Sequence, residues 1–272
     1  MDTLATPDFE AIKDRQRSMW GAGDYGAVGT RLVVMGEQLC DSADIRAGER
    51  VLDVACGHGI TALAAARRFA EVTAIDYVPA LIDRGRERAQ ADRLPVRFEV
   101  ADAEALPFPD GSFDVVTSTV GVMFAPNQAQ AAAEMLRVCR PGGRIALTSW
   151  TPEGFLGQLF RIVASVAPPP PGVASPMRWG TERGLQELFG DGIAALDAQR
   201  RRYRMCYLSA DHWLDFFRAN YGPVLRLFAA LDAPRQEALA AEIKALLARH
   251  DEGAGRGLLI RAEYLEAVAQ RR

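Results

Sequence analysis

The chain has 272 residues, 49% of them hydrophobic and 25% charged, which allows one large domain or two small ones with a sizeable core. A net charge of −3 and a pI near 5.7 give it no attraction to nucleic-acid phosphates or anionic lipid. No apolar run reaches the length of a membrane span, and the N-terminus does not read as a signal peptide. Cys40, Cys56, Cys139 and Cys206 lack metal-ligand or disulfide-framework spacing and read as reduced thiols of a cytoplasmic protein. His58, His212 and His250 lie far apart, so no zinc motif is visible and no metal is expected.

In chain order, Thr6-Pro7-Asp8 reads as a helix start, with Thr6 as cap and Pro7 at the first helical position. Residues 6–20 then form a helix on which Phe9, Ile12, Gln16, Met19 and Trp20 share a face. A glycine-rich stretch, 21–26, precedes a second helical run over 29–41. From 50 to 150 short apolar runs at 51–55, 72–76, 96–100, 113–119 and 144–150 alternate with helical ones at 60–69, 79–91 and 127–139. That alternation predicts an α/β doubly wound parallel sheet whose ligand lies at the C-terminal edge of the strands. Beyond it the sequence predicts a helix over 155–166, a stiff spacer at Pro168–Pro171, and a strand over 201–208. The arginines at 200, 201, 202 and 204 read as a solvated strand edge. Helices over 211–217 and 234–249 and a last strand over 257–268 complete the chain.

The stretch Val51-Leu52-Asp53-Val54-Ala55-Cys56-Gly57-His58-Gly59 places a carboxylate in an apolar strand and follows it with glycines before an alanine-rich helix. Gly57, Gly59 and Ala62 fit G-x-G-x-x-A, the phosphate-cradling pattern of dinucleotide enzymes, so an NAD(P)-dependent oxidoreductase is one reading. Asp53 argues against it, because a carboxylate beside the loop repels a pyrophosphate at the helix N-terminus. It suits a positively charged ligand, such as the ammonium of an amino acid. A plain tight turn capped by Asp53 is the other reading of these residues. Asp76 ends the second strand, where a carboxylate can accept both hydroxyls of a ribose or cap the helix that follows. Asp102 follows the third strand and could accept a hydrogen bond from an adenine amino group.

Four segments in order resemble the class I S-adenosylmethionine-dependent methyltransferases, especially the small-molecule branch with the ubiquinone and menaquinone methyltransferases. They are VLDVACGHG, VTAIDYVPALI, VADAEALPFPDGSFDVV and Leu136-Arg137-Val138-Cys139-Arg140-Pro141-Gly142-Gly143, and the resemblance covers residues 46–150. It implies a Rossmann-like seven-stranded sheet with the last strand antiparallel. Ala55 departs from the glycine that many members carry there. Carried over, the resemblance puts Asp53 by the methionine moiety of S-adenosylmethionine, with Ala55, Gly57 and Gly59 admitting the cofactor close to backbone. Asp76 then holds the ribose, Tyr77 packs near the adenine, Asp102 and the Ala103 N–H read its edge, and Thr119 faces the methionine end.

The expected organisation is a helical cap and lid over 1–45, a cofactor-binding core over 46–150, and a part over 151–272 that completes the sheet around an inserted helical cap. Trp20 and Tyr25 bound a segment that reads either as a lid that would order over the methionine end and exclude water, or as the end of a helix packed on the domain through Phe9, Ile12, Met19 and Trp20 with 21–26 a passive connection. The expected reaction is in-line methyl transfer to a small, aromatic or apolar molecule, whose attacking atom the sequence does not reveal. No motif identifies a general base; His212 and Tyr25 are candidates, His212 being otherwise a surface histidine that opens a helix, and His58, inside the loop, is expected as a helix-start side chain facing solvent, with a role at the reacting methyl group as its other reading. A macromolecule-directed methyltransferase is disfavoured by the acidic pI and the absence of a basic arm. No nucleic-acid or membrane partner is expected, and a homodimer is left open.

Overall fold

Residues 50–150 lay down five parallel strands: β1 Arg50–Val54, β2 Glu71–Asp76, β3 Val96–Val100, β4 Phe113–Thr119 and β5 Cys139–Trp150. Two long strands, β6 Ile193–Tyr207 and β7 Leu258–Arg271, extend the sheet; β7 runs antiparallel to both β5 and β6. In the computed structural model, which describes residues 7–272, the order is β3-β2-β1-β4-β5-β7-β6. This is the doubly wound sheet with an antiparallel last strand that the sequence predicts.

Side chains alternate across the strands and so feed two separate cores. Val51, Val115 and Ala146 join one with Leu63 and Ile82, while Leu52, Val116 and Ile145 join the other with Met135 and Trp179. The helices that cover these faces are α1 Phe9–Trp20, α2 Tyr25–Gly29, α3 Val33–Ser42, α4 Ile60–Arg67, α5 Pro79–Asp92 and α6 Gln128–Val138. They continue with α7 Phe155–Val166, α8 Glu182–Phe189, α9 Ala210–Asn220, α10 Gly222–Ala229 and α11 Ala233–His250. No helix among the described residues is long and apolar enough to cross a membrane.

Several boundaries differ from the sequence reading. The expected cap Thr6 lies outside the described residues; Asp8 caps α1, its carboxylate accepting the Ala11 N–H at 3.0 Å. The single helical run expected over 29–41 is α2, a 3-10 turn at Thr30–Leu32, and α3. The strand expected over 201–208 begins at Ile193, because only Ile193 and Met205 of β6 are buried and its apolar alternation is faint. β6 is the outer edge of the sheet, with Arg200, Arg202 and Arg204 exposed along it.

Candidate functional site

The C-terminal ends of β1, β2 and β4 and the segment after β3 open onto one cleft, which encloses about 820 Å3 of empty space with the solvent at its mouth included. Its floor is backbone. Ala55 and Gly57 there, and Gly59 just beyond the cleft, have φ of 51°, 56° and 84°, all in the left-handed region. Across the cleft, Val120 at the end of β4 has φ 53°. For Ala55 and Val120 this conformation costs roughly 1–2 kcal/mol each, and both line the cleft, where such strain tends to collect. Two glycines are needed for approach: a Cβ on Gly57 would lie 3.3 Å from Tyr25 Cε1, and one on Gly121 would lie 2.3 Å from the Ala55 carbonyl oxygen. Gly59 does not line the cleft; its bare Cα lets the start of α4 pack on β3, since a Cβ there would reach Phe98 at 2.8 Å.

The three aspartates occupy different depths. Asp53 is 1% exposed and does not line the cleft. It lies beneath the floor, accepting the Ala62 N–H at 3.0 Å and the Thr117 hydroxyl at 2.9 Å. It thereby satisfies one of the free N–H groups in the first turn of α4 and ties β1 to β4. Burial pushes its carboxyl up to about 7, against the pull of those two donors. Asp76 lines the wall and is fixed by the N–H groups of Gly57 and Val78, both at 2.9 Å. Burial raises it to about 6. Asp102 also lines the wall, accepting the Glu104 N–H at 2.9 Å and the Lys13 ammonium at 2.7 Å.

That lysine belongs to the roof. α1 crosses the mouth of the cleft, and Lys13, 7% exposed, bridges Asp102 and Glu104, the latter at 3.4 Å. Burial works against its charge, but hydrogen bonds to Asp102 and Glu10 outweigh that and hold its pKa above the usual lysine range. One turn on, Gln16 donates to the Phe124 carbonyl at 3.2 Å and accepts from the Tyr77 hydroxyl at 3.4 Å. Arg17 donates to the Tyr77 carbonyl. Another turn on, Trp20 packs against Phe124, Tyr221 and Tyr25, with ring centroids 5.0, 5.5 and 5.8 Å away. The sequence reading did not single out Lys13, Glu104 or Phe124. The available signal was the spacing of Lys13, Gln16 and Trp20, which places all three on one stripe of α1.

His58 is the main correction. Instead of facing solvent it is 2% exposed and lines the cleft, covered by Gly26 and Gly29 of α2. Burial and the charge of Arg88 push its imidazole down to about 4, and its Nε2 has no hydrogen-bond partner. Tyr25 lines the cleft beside it, and burial raises its phenol to about 12. His212 does not line the cleft; it lies at the start of α9, where its Nδ1 accepts the Leu208 N–H at 3.2 Å.

Ala55, Gly57, Asp76, Tyr77, Asp102, Ala103, Thr119, Trp20 and Tyr25 thus converge on one cleft, while Asp53, Gly59 and His212 lie outside its wall. The convergent set fits an adenosyl sulfonium. A fixed carboxylate stands at the end of β2, bare backbone admits close approach at Gly57, and an apolar stretch adjoins carboxylates rather than a phosphate-binding set. Among the described residues no group of histidine, cysteine and carboxylate side chains could hold a metal ion.

Comparison with known proteins agrees with this geometry. Residues 52–147 match a family described as "Methyltransferase domain". An uncharacterised protein of Mycobacterium tuberculosis (strain ATCC 25618 / H37Rv) is 40% identical over 251 residues, covering 90% of this chain and 92% of its own. Demethylmenaquinone methyltransferase of Deinococcus radiodurans is 43% identical over 117 residues, 42% of this chain and 48% of its own. The crystal structure of YcgJ from Bacillus subtilis shares the fold, with a TM-score of 0.62 at 22% identity, covering 88% of this chain and 98% of that one.

Proposed function

The chain belongs to the class I S-adenosylmethionine-dependent methyltransferases, with S-adenosylmethionine as cofactor, and from that premise we propose that it methylates a small, largely apolar acceptor. The observation that carries this reading is the roof. α1 brings a polar latch to one end of the cleft and an aromatic wall, Trp20 with Phe124 and Tyr25, to the other. In this reading Asp76 holds the ribose hydroxyls, and Asp102 with the Ala103 N–H reads the adenine edge while Lys13 holds Asp102 in place. Tyr77 packs near the adenine. Ala55, Gly57 and Thr119 face the methionine end. Asp53 and Gly59 act from outside the wall, shaping the loop that the cofactor lies on.

When bound, S-adenosylmethionine supplies a methyl group already activated on a sulfonium. What is left to the protein is alignment, and holding two reactants in line supplies about 7–11 kcal/mol of the barrier. Trp20 and Tyr25 close the aromatic end and keep water from it, so in the division into 1–45, 46–150 and 151–272 the described residues 7–45 serve as a cap, 46–150 as the cofactor core, and 151–272 as the part completing the sheet. The net charge of −3 favours small acceptors over nucleic acid. Four free cysteines support a cytoplasmic setting.

A screen of phenols, quinols, indoles, thiols and amines with methyl-labelled cofactor tests the proposal. Label transferred to one of these small molecules is the expected result. Label that enters only protein or RNA from a cell extract would overturn the small-molecule reading.

A further inference from the structure

Charge is unevenly placed on the cleft wall. Among the described residues that line it, Asp76, Asp102 and Glu104 supply three carboxylates, Lys13 supplies one ammonium, and no arginine is present. Lys13 is bound to Asp102 and Glu104, and burial with the charge of Arg88 keeps the His58 imidazole neutral. From Lys13 to Trp20 α1 advances about 10 Å at 1.5 Å per residue, so the ammonium stays at the Asp102 end. The Trp20 end therefore has no fixed cation on its wall.

That end is aromatic instead. A Cβ on Gly57 would lie 3.3 Å from Tyr25 Cε1, so the Tyr25 ring stands over the loop that follows β1. Phe124 lines the cleft beyond the end of β4. Trp20 links the two, its ring centroid 5.8 Å from that of Tyr25 and 5.0 Å from that of Phe124. It stands at 90° to the first and 57° to the second, so the rings meet as a corner and not as a flat stack. All three are only partly buried, and all three line the cleft. Rings that served only as core would be closed off from that space.

The ends of β1 and β4 are where the methyl-transfer reading, on which this inference rests, puts the methionine half of the cofactor. We propose that Trp20, Tyr25 and Phe124 form a subsite for the sulfonium charge and so select S-adenosylmethionine over its demethylated product. An aromatic face attracts a cation through its ring quadrupole, most strongly in tryptophan and where water is excluded. The carboxylate excess on the wall acts in the same direction over a longer range.

On transfer the methyl carbon bonds to the acceptor, the carbon–sulfur bond breaks, and its electron pair stays on sulfur. The sulfonium becomes a neutral thioether, and the positive charge leaves with the methylated acceptor or with the proton that it sheds. The pull of the rings is lost in the same step. The product is then held by the adenosine and amino-acid contacts alone, which eases its release.

Calorimetry on the full protein tests this with three ligands that share the adenosine and amino-acid ends. S-adenosylmethionine should bind about two- to thirtyfold more tightly than S-adenosylhomocysteine. Sinefungin, which carries an ammonium in place of the methyl-bearing sulfonium, should side with S-adenosylmethionine, because charge and not the methyl group is recognised. Trp20→Leu should erase most of the preference while the Kd for S-adenosylhomocysteine stays within about twofold. Trp20→Phe keeps a ring and should keep most of it. If Trp20→Leu does not fold, Phe124→Leu, which leaves α1 unaltered, should reduce the preference in the same direction. Equal or tighter binding of S-adenosylhomocysteine, sinefungin that behaves like the thioether, or folded ring variants that weaken all three ligands alike would each overturn the proposal and leave the methyltransferase reading standing. If none of the three ligands binds, that reading itself falls.

Discussion

Around the floor of the cleft, Asp76 on the wall reaches the Gly57 N–H 19 residues away, and Asp53 beneath reaches Ala62 nine residues on, so these contacts arise within one β–α–β unit. On the roof, Lys13 reaches Asp102 across 89 residues and Gln16 reaches Phe124 across 108. The floor therefore forms whenever the parallel sheet forms. The roof requires an independent helix to dock, and only a few side chains hold it. Affinity for the cofactor should accordingly depend on the floor, and enclosure of the reacting groups on the roof.

The largest effect should come from breaking the floor. Asp76→Ala removes charge-assisted hydrogen bonds worth roughly 1.5–3 kcal/mol, so calorimetry should show affinity for S-adenosylhomocysteine falling about ten- to a hundredfold. An unchanged affinity in a folded variant would move the ribose away from Asp76.

Cutting the roof latch should matter less for affinity. Lys13→Met leaves Asp102 and Glu104 without their shared cation, and we expect affinity to drop about three- to tenfold, or 0.7–1.4 kcal/mol. Amide exchange over residues 9–20 should quicken at the same time. An exchange pattern identical to the parent's would mean that Gln16, Arg17 and Trp20 hold α1 in place without the latch.

A smaller effect tests the floor through its protons. Burial holds Asp53 at about 7 and Asp76 at about 6 in the free protein, both above the ordinary aspartate value. A cationic ligand with hydroxyl donors favours their ionised forms, so affinity should rise by a few-fold between about pH 5 and 8 and then level off. Calorimetry near pH 6 in buffers of different ionisation enthalpy should register proton release; proton uptake would contradict the assignment. The same carboxylates act oppositely on the free protein. Their folded pKa values exceed the unfolded one, so their contribution to stability is complete below about pH 3.8 and is lost as pH rises through 6 to 7.

The smallest effect belongs to Ala55. Ala55→Gly relieves a left-handed methyl-bearing residue but gives the unfolded chain more freedom, by about 0.4–1 kcal/mol. The two nearly cancel, and the melting temperature should shift by no more than a few degrees. A large loss of stability would mean that the Ala55 methyl contributes packing that a glycine cannot replace.

The same contrast governs what can be read from the sequence. β3 and β4 coincide with the runs expected at 96–100 and 113–119, because flanking turn residues mark their ends and the strands carry clear apolar signals. β6 is about twice as long as the expected strand, because an edge strand with two buried residues carries almost no such signal. At the site, Asp76, Gly57 and Asp102 are legible because strand ends and glycine turns are local features. Lys13 gives no comparable sign, since its partners are far along the chain. His58 occupies a helix-start position where a polar side chain ordinarily meets water; Gly26 and Gly29 of α2 take that place instead, and nothing near residue 58 announces them.

The arginines on β6 also bear on how copies of the protein behave in concentrated solution. A free strand edge is a template on which a second copy can add its own strand. If two β6 edges met antiparallel about Arg202, that residue would stand opposite its own counterpart, close enough for like charges to repel, while Arg200, which could answer the other copy's Arg204, is already paired with Glu263 at 3.0 Å. This barrier to sheet-on-sheet growth is electrostatic, so it has a range. It extends about 30 Å in 0.01 M salt and shrinks to about 3 Å in 1 M. Dilute buffer should keep the molecules dispersed, and concentrated salt should let light scattering climb while the fold stays intact.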